Sequence, residues 1–317
     1  MLSFEHKITD GRISVIMPCY NAQAHLKESI SNVLNQDYDD IELIVVDDGS
    51  TDQSKEILNG FGKNITVISQ KNQGPGPARN RGLEKASGEF VAFLDSDDYW
   101  GPNCLSALKK ALDNTNAALS YCGWQNVGGP KKQCQPYIPP DYEQSDKVER
   151  FLKSAAPWPI HAALVRRKIL EEVSGFDEQW ATCMDYDLWL RIGTRWPIVL
   201  VEQVLAFYRH NVGGQITSQQ WRQARNVMLV KKHFINKFPN VVKHLSENRL
   251  KELVDGALLK RGYDAYWKRD LVSAHKIFRI CLYNRYYKIK DLKYILPSIL
   301  PENAFKKFVL VLEKTSE

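Results

Sequence analysis

The chain has 317 residues, 44% of them hydrophobic and 25% charged, proportions that fit a globular protein with a full core and exclude a disordered or fibrous chain. No apolar run approaches the roughly 20 residues that span a bilayer, and the polar start from Met1 to Arg12 predicts no secretory signal. The six cysteines, without close pairs or metal-site spacing, predict reduced thiols in a cytosolic protein.

The net charge of +6 is divided unevenly along the chain. Residues 221–317 carry 21 Lys and Arg against 9 Asp and Glu, whereas the first 220 residues carry 22 against 28. We therefore expect one domain over 1–220 and a basic, mainly helical region over 221–317, with different partners.

Five short apolar runs alternate with helical patterns in the first 123 residues. Nearly continuous apolar runs are typical of strands buried on both faces of a parallel sheet. Pro77 and Pro102 are expected in the first turns of helices. The alternation predicts a doubly wound, mostly parallel α/β sheet. The predicted strands are Ile13–Met17, Ile41–Val46, Ile65–Ser69, Phe90–Leu94 and Ala118–Gly123.

The first predicted strand is followed by Pro18, Cys19, Tyr20 and Asn21. Proline lacks the ladder donor, so we expect it to end the strand pairing and to bring Tyr20 to the carboxyl edge of the sheet. The Tyr20 ring there either stacks on a nucleotide base or covers the top of the sheet.

The second strand is followed by Asp47 and Asp48, then Gly49, Ser50 and Thr51. Either carboxylate can accept the imide N–H of a uracil, and Gly49 permits a tight turn. Ser50 and Thr51 are expected to cap the next helix, which is a structural role.

The loop after the third strand, residues 72–82, superficially suggests a dinucleotide-binding glycine motif. Arg79 replaces its third glycine, and the loop does not open the first βαβ unit, so the sequence excludes that motif. An arginine near a helix start suits a pyrophosphate; a purely structural turn is the alternative.

The fourth strand is followed by three carboxylates within four residues, Asp95, Asp97 and Asp98. Carboxylates this close repel one another and favour a nearby cation. At the carboxyl end of a strand they predict a site for a divalent ion and a phosphorylated substrate. A solvated acidic turn that caps the next helix is the alternative.

Further along, residues 127–140 predict a long loop. Residues 158–210 predict mixed structure, with an apolar run over Ile160–Val165, a helix around Tyr186–Thr194 and a strand over Ile198–Leu205. After about residue 220 the pattern is helical, basic and aromatic.

Together these segments resemble the family-2 glycosyltransferases of the GT-A fold. The resemblance covers roughly residues 12–210 and does not extend to the basic region. It implies the GT-A form of the doubly wound sheet and transfer of a sugar from a nucleotide-sugar, with UDP expected before dTDP and GDP. The matching segments are Ser14–Asn21, Val45–Asp52, Gly74–Gly82, Phe93–Asp98, Gly175–Glu178 and Met184–Arg191.

By this resemblance, the donor-binding residues follow the first three strands. Tyr20 stacks on the base, Asp47 or Asp48 binds the base, and Pro18 is a further donor-binding residue. Arg79 lies near the diphosphate.

The same resemblance identifies Asp95, Ser96 and Asp97 as the D-x-D element. Asp97 is then a direct ligand of Mn²⁺ or Mg²⁺, and Asp95 binds the ribose or the metal. His210 resembles the family's closing histidine, displaced by one position, and is expected near the metal or the diphosphate; an ordinary loop histidine is the alternative.

Asp185 aligns with the family's general base, which removes the proton of the acceptor hydroxyl in one inverting displacement. The family commonly has Glu before this Asp, where the chain has Met184. Asp187 lies about 200° round a helix from Asp185 and is not expected to share its role. A helix N-terminal carboxylate is the structural alternative for Asp185.

The resemblance implies a glycan or lipid-linked acceptor. The basic region, with its tyrosines, predicts docking of this cytoplasmic protein on an anionic membrane surface, packing on the catalytic domain, or a homodimer; nucleic acid is not an expected partner. Two other functions stay open. A non-catalytic sugar-nucleotide-binding or scaffold protein draws support from Met184 alone, whereas Asp97 and Asp185 count against it. A sugar-1-phosphate nucleotidyltransferase would need a glycine- and arginine-rich phosphate loop directly after the first strand, and residues 18–21 of this chain do not form one.

Overall fold

The computed structural model describes residues 7–129, 134–210 and 219–314. The chain divides into two compact units. The N-terminal unit contains residues 1–151 and 156–213, and the C-terminal unit contains residues 152–155 and 214–317.

The N-terminal unit is built on one sheet. Its strands are β1 (Thr9–Cys19), β2 (Ile41–Asp47), β3 (Thr66–Ser69), β4 (Gly88–Phe93), β5 (Tyr99–Trp100), β6 (Leu119–Val127), β7 (Pro136–Tyr137), β8 (Ala163–Arg166) and β9 (Ile198–Arg209). They lie in the order β3-β2-β1-β4-β8-β6-β9-β5, and β7 pairs with β6. The pairs among β3, β2, β1 and β4 are parallel, as is β6 with β9, whereas β8 is antiparallel to both of its neighbours.

The predicted doubly wound, mostly parallel α/β fold is therefore confirmed. The helices that accompany the sheet are α1 (Leu26–Leu34), α2 (Ser54–Gly60), α3 (Pro75–Lys85), α4 (Cys104–Asp113), α5 (Lys147–Lys153), α6 (Arg167–Glu172) and α7 (Met184–Gly193). Amphipathic patterns explain their docking, because Leu105, Leu108 and Leu112 are fully buried on one face of α4. At Gly82 in α3 an added Cβ would lie 2.5 Å from Cγ2 of Ile16, so glycine permits the close approach of this helix to the sheet.

Two expectations about proline residues are wrong. Pro18 does not end the pairing of β1: it pairs in register with Val46, and Cys19 with Asp47. The carbonyl of Ile16 accepts a hydrogen bond from Leu94 N, and the carbonyl of Cys19 accepts one from Asp48 N. Since carbonyl directions alternate along a strand, the N–H that Pro18 lacks would face the side on which β4 has already ended.

Pro102 is also not in a helix, because α4 begins at Cys104 with Asn103 as its N-cap. The predicted long loop over 127–140 contains a structured part, since β7 pairs with β6 there, and residues 130–133 lie outside the described residues.

The C-terminal unit is helical, as predicted. It contains α8 (Gln220–Lys237), α9 (Pro239–Val242), α10 (Glu247–Lys251), a π-helical segment (Glu252–Gly256), α11 (Ala257–Trp267), α12 (Leu271–Tyr283), α13 (Leu292–Ile295) and α14 (Glu302–Lys314). Its core is centred on Leu258, Phe278 and Phe305. Among the described residues, no helix combines the length and the apolarity that crossing a bilayer requires.

Candidate active site

The carboxyl ends of β1 and β2 are joined by short polar contacts. The backbone N–H of Asn21 donates to Ser50 Oγ at 3.0 Å, and the N–H of Thr51 donates to Asn21 Oδ1 at 2.8 Å. Ser50 and Thr51 therefore connect two strand ends and do not cap α2, whose N-cap is Gln53. Beside this junction Tyr20 is 52% exposed, so its ring is available to a ligand.

Asp47, the last residue of β2, and Asp48, which follows it, are both buried and already engaged. Asp47 Oδ1 accepts from the backbone N–H of Ser50 at 3.0 Å. Asp48 accepts from Gln70 Nε2 at 2.8 Å and from the backbone N–H groups of Gln73 and Gly74 at 2.9 and 2.8 Å. Asp48 thus holds the loop that leads into α3.

Arg79 links α3 to the acidic turn after β4. Its buried guanidinium donates from Nη2 to Asp95 Oδ1 and lies 5.5 Å from the centre of the Phe176 ring. Its Nε has no hydrogen-bond partner among the described residues. Asp95 keeps 32% of its side chain exposed, so the pair is open to solvent on the carboxylate side.

Asp97 and Asp98 have different surroundings although they are adjacent. Burial and the charge of Asp95 raise the pKa of Asp97 to about 6. Asp98 is fully buried, and burial followed by the neighbouring carboxylates raises its pKa well above the usual value. Asp98 Oδ1 accepts from the backbone N–H of Arg209 at 2.7 Å, and Oδ2 lies 3.2 Å from Nδ1 of His161 without hydrogen-bond geometry. Asp98 is therefore part of the packed interior, whereas Asp97 is half-buried at its edge.

Asp185 lies in the first turn of α7 and is half-buried. Desolvation raises its pKa, the charge of Arg79 lowers it, and the charge of Asp95 raises it further. Arg79 and Asp95, whose charges act on Asp185, are themselves joined by an ion pair. Asp187, by contrast, is buried and pairs with Arg191 at 2.8 Å, which is a separate structural role.

The end of β9 completes this edge of the sheet. The guanidinium of Arg209 binds both carboxylate oxygens of Glu28 at 2.9 Å and lies 5.2 Å from the centre of the Tyr99 ring. His210 donates its backbone N–H to Val127 O at 2.9 Å, and its ring centre lies 5.1 Å from that of Tyr208. Within the described residues, the His210 side chain forms no hydrogen bond or ion pair with the acidic turn, although Tyr208, which it contacts, feels the charges of Asp98, Asp95 and Asp97.

Three supporting residues were not predicted from the sequence. Asn80 donates to Phe176 O at 2.9 Å and to Glu178 at 2.8 Å, and accepts from Phe176 N at 2.9 Å, which fixes α3 to the Gly175–Glu178 turn. His161 is fully buried, and burial lowers its pKa to about 4. Glu28 binds Arg209. Only Asn80 carried a sequence signal, since it directly follows Arg79 in the loop segment.

The acidic turn fits a divalent cation by its chemistry. The carboxylates of Asp95 and Asp97 repel each other, and burial removes water from Asp97. A hard cation that prefers oxygen ligands would offset both the repulsion and the lost hydration. Within residues 7–129, 134–210 and 219–314, no group of three or more His, Cys, Asp or Glu side chains is arranged as a complete metal site.

Comparison with known proteins agrees with this architecture. The sequence profile described as Glycosyl transferase family 2 matches residues 14–174, a span that includes Tyr20, Asp47, Arg79 and Asp97 but ends before Asp185. The chain belongs to glycosyl transferase family 2.

Two relatives illustrate the range of similarity. An uncharacterised glycosyltransferase of Nostoc sp. is 30% identical over 242 residues, which are 72% of this chain and 75% of that protein. An uncharacterised glycosyltransferase of Haemophilus influenzae is 53% identical over 119 residues, which are 35% of this chain and 48% of that protein. The chain spans between 27% and 58% of the length of three of the curated relatives it matches.

Two solved structures share the fold. S. aureus TarS 1-349 in complex with UDP has a TM-score of 0.63 at 17% identity, with 96% of this chain and 92% of that chain covered. Mannosyltransferase PcManGT from Pyrobaculum calidifontis, in complex with GDP-Man and Mn²⁺, has a TM-score of 0.55 at 19% identity and covers 98% of this chain and 88% of its own. The GT-A form of the sheet predicted from the sequence is thereby confirmed.

Proposed function

We propose that this protein is a metal-dependent, inverting glycosyltransferase that moves a sugar from a nucleotide-sugar, a UDP-sugar in the first place, to a hydroxyl of a glycan or lipid-linked acceptor. The observation that carries the proposal is the ion pair between Arg79 and Asp95, whose charges both act on the pKa of Asp185. A proton acceptor, a cation and an acidic turn within reach of one another meet the needs of sugar transfer from a diphosphate.

The donor is held along the ends of β1 and β2 and by α3. The exposed Tyr20 ring stacks on the base, and Pro18, two residues earlier in the chain, is a further donor-binding residue. Asp47 or Asp48 binds the base edge. Asp48 already accepts three hydrogen bonds, whereas Asp47 Oδ2 accepts none among the described residues and has Lys55 Nζ at 3.9 Å, so Asp47 has more hydrogen-bonding capacity left. Arg79 stabilises negative charge on the diphosphate.

Asp97 and Asp95, with Ser96 between them, hold Mn²⁺ or Mg²⁺ in this proposal. When bound, the cation supplies positive charge to the diphosphate leaving group. The contacts of Asp98 with Arg209 and His161 support a positioning role for it, and those of His210 give no support to a metal-ligand role.

Asp185 removes the proton of the acceptor hydroxyl as that oxygen attacks the sugar carbon. Desolvation raises its pKa, which brings it closer to the operating pH and makes it a better base. A single displacement from the face opposite the leaving group inverts the anomeric centre.

The C-terminal unit docks on an anionic membrane surface in this proposal. Its excess of cations is accompanied by exposed apolar side chains at Trp267, Ile289, Ile299, Leu310 and Val311. Co-sedimentation of the full chain with phosphatidylglycerol vesicles tests it. Failure to sediment, or formation of a homodimer that masks these residues, contradicts it.

The catalytic proposal is tested with a panel of UDP-, dTDP- and GDP-sugars, scored first by thermal shift with Mn²⁺ or EDTA and then by release of the nucleoside diphosphate. We expect UDP-sugars to raise the melting temperature more with Mn²⁺ than with EDTA, because ligands that bind the folded state stabilise it. A panel without any stabilising nucleotide-sugar contradicts the proposal, and binding without turnover on any acceptor supports the non-catalytic alternative. The anomeric configuration of a product, read by NMR, tests inversion.

A further inference from the structure

The C-terminal unit contains a cavity of about 720 Å³, a size typical of small-ligand sites. It is bordered by α10, the π-helical segment, α11 and the loop after α12. We call it the basic cavity, because six cations and two carboxylates line it. The cations are Lys153, Arg249, Lys260, Arg285, Lys288 and Lys290.

Both carboxylates of the basic cavity are engaged by neighbouring groups. Glu252 forms an ion pair with Arg249 on the same helical turn. Asp291 accepts from the Tyr263 hydroxyl at 2.7 Å and from the backbone N–H of Lys288 at 2.7 Å. Glu252 is thus neutralised by Arg249, whereas Asp291 keeps its charge but is bound by neutral donors, so the cations of the basic cavity outnumber its carboxylates by six to two.

Four of the cations have no carboxylate within ion-pair distance in the described part of the chain. They are Lys260, Arg285, Lys288 and Lys290. A concave surface with like charges that are not neutralised raises the local concentration of anions and offers them charge-assisted hydrogen bonds. The basic cavity therefore suits an anionic ligand.

The backbone around the basic cavity departs from ordinary helix rules in two places. Arg285 has φ +53°, in the turn where Tyr286 N donates to Cys281 O at 3.0 Å after α12. Glycine is favoured at this left-handed position, and a side chain there costs stability. The π-helical segment Glu252–Gly256 is likewise a rare conformation that is frequent at functional sites. Local departures that expose a charged side chain to a cavity are typical of binding sites.

Tyrosine rings form the rest of the wall. Tyr263, Tyr286 and Tyr287 line the basic cavity, and Tyr287 is 39% exposed. A Cβ at Gly256 would lie 2.9 Å from the Tyr286 hydroxyl, so the glycine lets this ring lie across the π-helical segment. Flat rings with polar tips suit the apolar face of a sugar ring beside its hydroxyls.

We propose that the basic cavity binds an anionic sugar unit of a glycan, with its phosphate or carboxylate held by Arg285, Lys288 and Lys290 and its ring against the tyrosines. That the ligand is a saccharide rests on the proposed function. That the ligand is an anion rests on the charges of the basic cavity alone.

The test measures calorimetric binding of the full chain to glucose 6-phosphate and to tetragalacturonate, with maltotetraose as the neutral probe. EDTA is present throughout, so that no divalent cation assists binding in the N-terminal unit. Arg285→Gly removes a cavity cation and relieves the left-handed backbone, so its melting temperature is expected to stay equal or rise. Arg269→Gly is the matched control, because Arg269 has φ +65°, follows α11 in the same type of turn and does not line the basic cavity.

We expect at least one anionic sugar to bind, maltotetraose not to bind, and Arg285→Gly to weaken binding by about tenfold while Arg269→Gly leaves it unchanged. Equal effects of the two substitutions overturn the proposal, as does the failure of both anionic sugars to bind. An effect of Arg285→Gly confined to phosphatidylglycerol vesicles or to oligothymidylate overturns it in favour of a lipid or nucleic-acid site. Since no step of this test needs turnover, its failure is distinct from failure of the nucleotide-sugar panel.

Discussion

The buried carboxylate of Asp98 accepts a hydrogen bond from the backbone N–H of Arg209 at 2.7 Å, across 111 residues of sequence. This bond holds the acidic turn after β4 to the end of β9. The carbonyl of Asp98 accepts a further bond from Ser29 Oγ at 2.8 Å, which adds α1 to the junction. Two adjacent carboxylates thus have different tasks: Asp98 positions the turn, and Asp97 remains at its edge.

Substitution of Asp97 by Asn is expected to remove the response of donor binding to Mn²⁺. The amide lacks the negative charge that a hard cation prefers, so donor affinity in Mn²⁺ falls by about tenfold or more. Titration of Mn²⁺ at saturating UDP, followed by thermal shift, measures this effect. Asp98→Asn is the matched control: its amide oxygen can still accept from Arg209 N, so the Mn²⁺ response and the melting temperature persist. An equal loss of the Mn²⁺ response in both variants would indicate that Asp98 is a metal ligand as well.

Substitution of Asp185 by Asn is expected to remove transfer while donor affinity changes less than about twofold. Loss of a general base costs about 10²- to 10⁴-fold in rate. Turnover assays and calorimetric titration of the donor measure the two effects separately. An equal loss of donor affinity contradicts the assignment.

Asp187 provides the control for that substitution on the same helix. Its carboxylate pairs with Arg191 at 2.8 Å, and both side chains are buried. Asp187→Asn leaves the arginine without its counter-charge and is expected to cost about 3 kcal/mol or more of unfolding free energy. Urea denaturation checks this, and an unchanged midpoint contradicts the structural role.

Substitution of Gly82 by Ala is expected to destabilise the N-terminal unit by about 1–3 kcal/mol, because overpacking forces buried neighbours to move. The added Cβ would lie 2.5 Å from Cγ2 of Ile16 and 3.4 Å from Cγ2 of Val46. Gly76 in the same helix has no atom within 4 Å of its added Cβ, so Gly76→Ala should be neutral or gain up to about 1 kcal/mol. The urea midpoints of the two variants measure both changes in unfolding free energy. Changes of the same sign in Gly82→Ala and Gly76→Ala would contradict the packing argument.

Lys231 is expected to make stability depend on pH. Burial, followed by the charge of Arg261, lowers the pKa of Lys231 to about 7, and its Nζ donates to Leu253 O at 3.1 Å. The unfolded lysine titrates near 10.4, so between about pH 7 and 10.4 the unfolded state binds the extra proton. The destabilisation by this lysine is therefore greatest below about pH 7. The free energy of unfolding rises with pH above that value, by up to about 1.4 kcal/mol per pH unit.

The measurement compares urea midpoints of the parent protein and Lys231→Met at pH 7 and pH 9. We expect the variant to be more stable at pH 7 and its advantage to narrow at pH 9. An advantage that does not change with pH excludes Lys231 as the cause.

Sequence reasoning predicted the first four strands of the chain and the polar ends of β1, β2 and β4; the assignment of Asp97 to a metal and of Asp185 to a general base stays a prediction. Those features are local, since apolar runs and the residues that follow them can be read without knowing their neighbours in space. The antiparallel strand β8, inserted between β4 and β6, was not predicted, because a short apolar run does not reveal its direction.

What the sequence by itself determined was the fold class and the set of chemical groups gathered at one sheet edge, because buried parallel strands need continuous apolar runs and leave their polar residues at the ends. Only the tertiary structure decided which of those groups are buried and engaged by distant segments. Asp48 holds a loop, Asp98 holds β9 and Asp187 holds Arg191, whereas Asp97 and Asp185 are half-buried. The physical reason is that a carboxylate's availability depends on donors from distant segments and on its loss of water, and neither is encoded in its own stretch of chain.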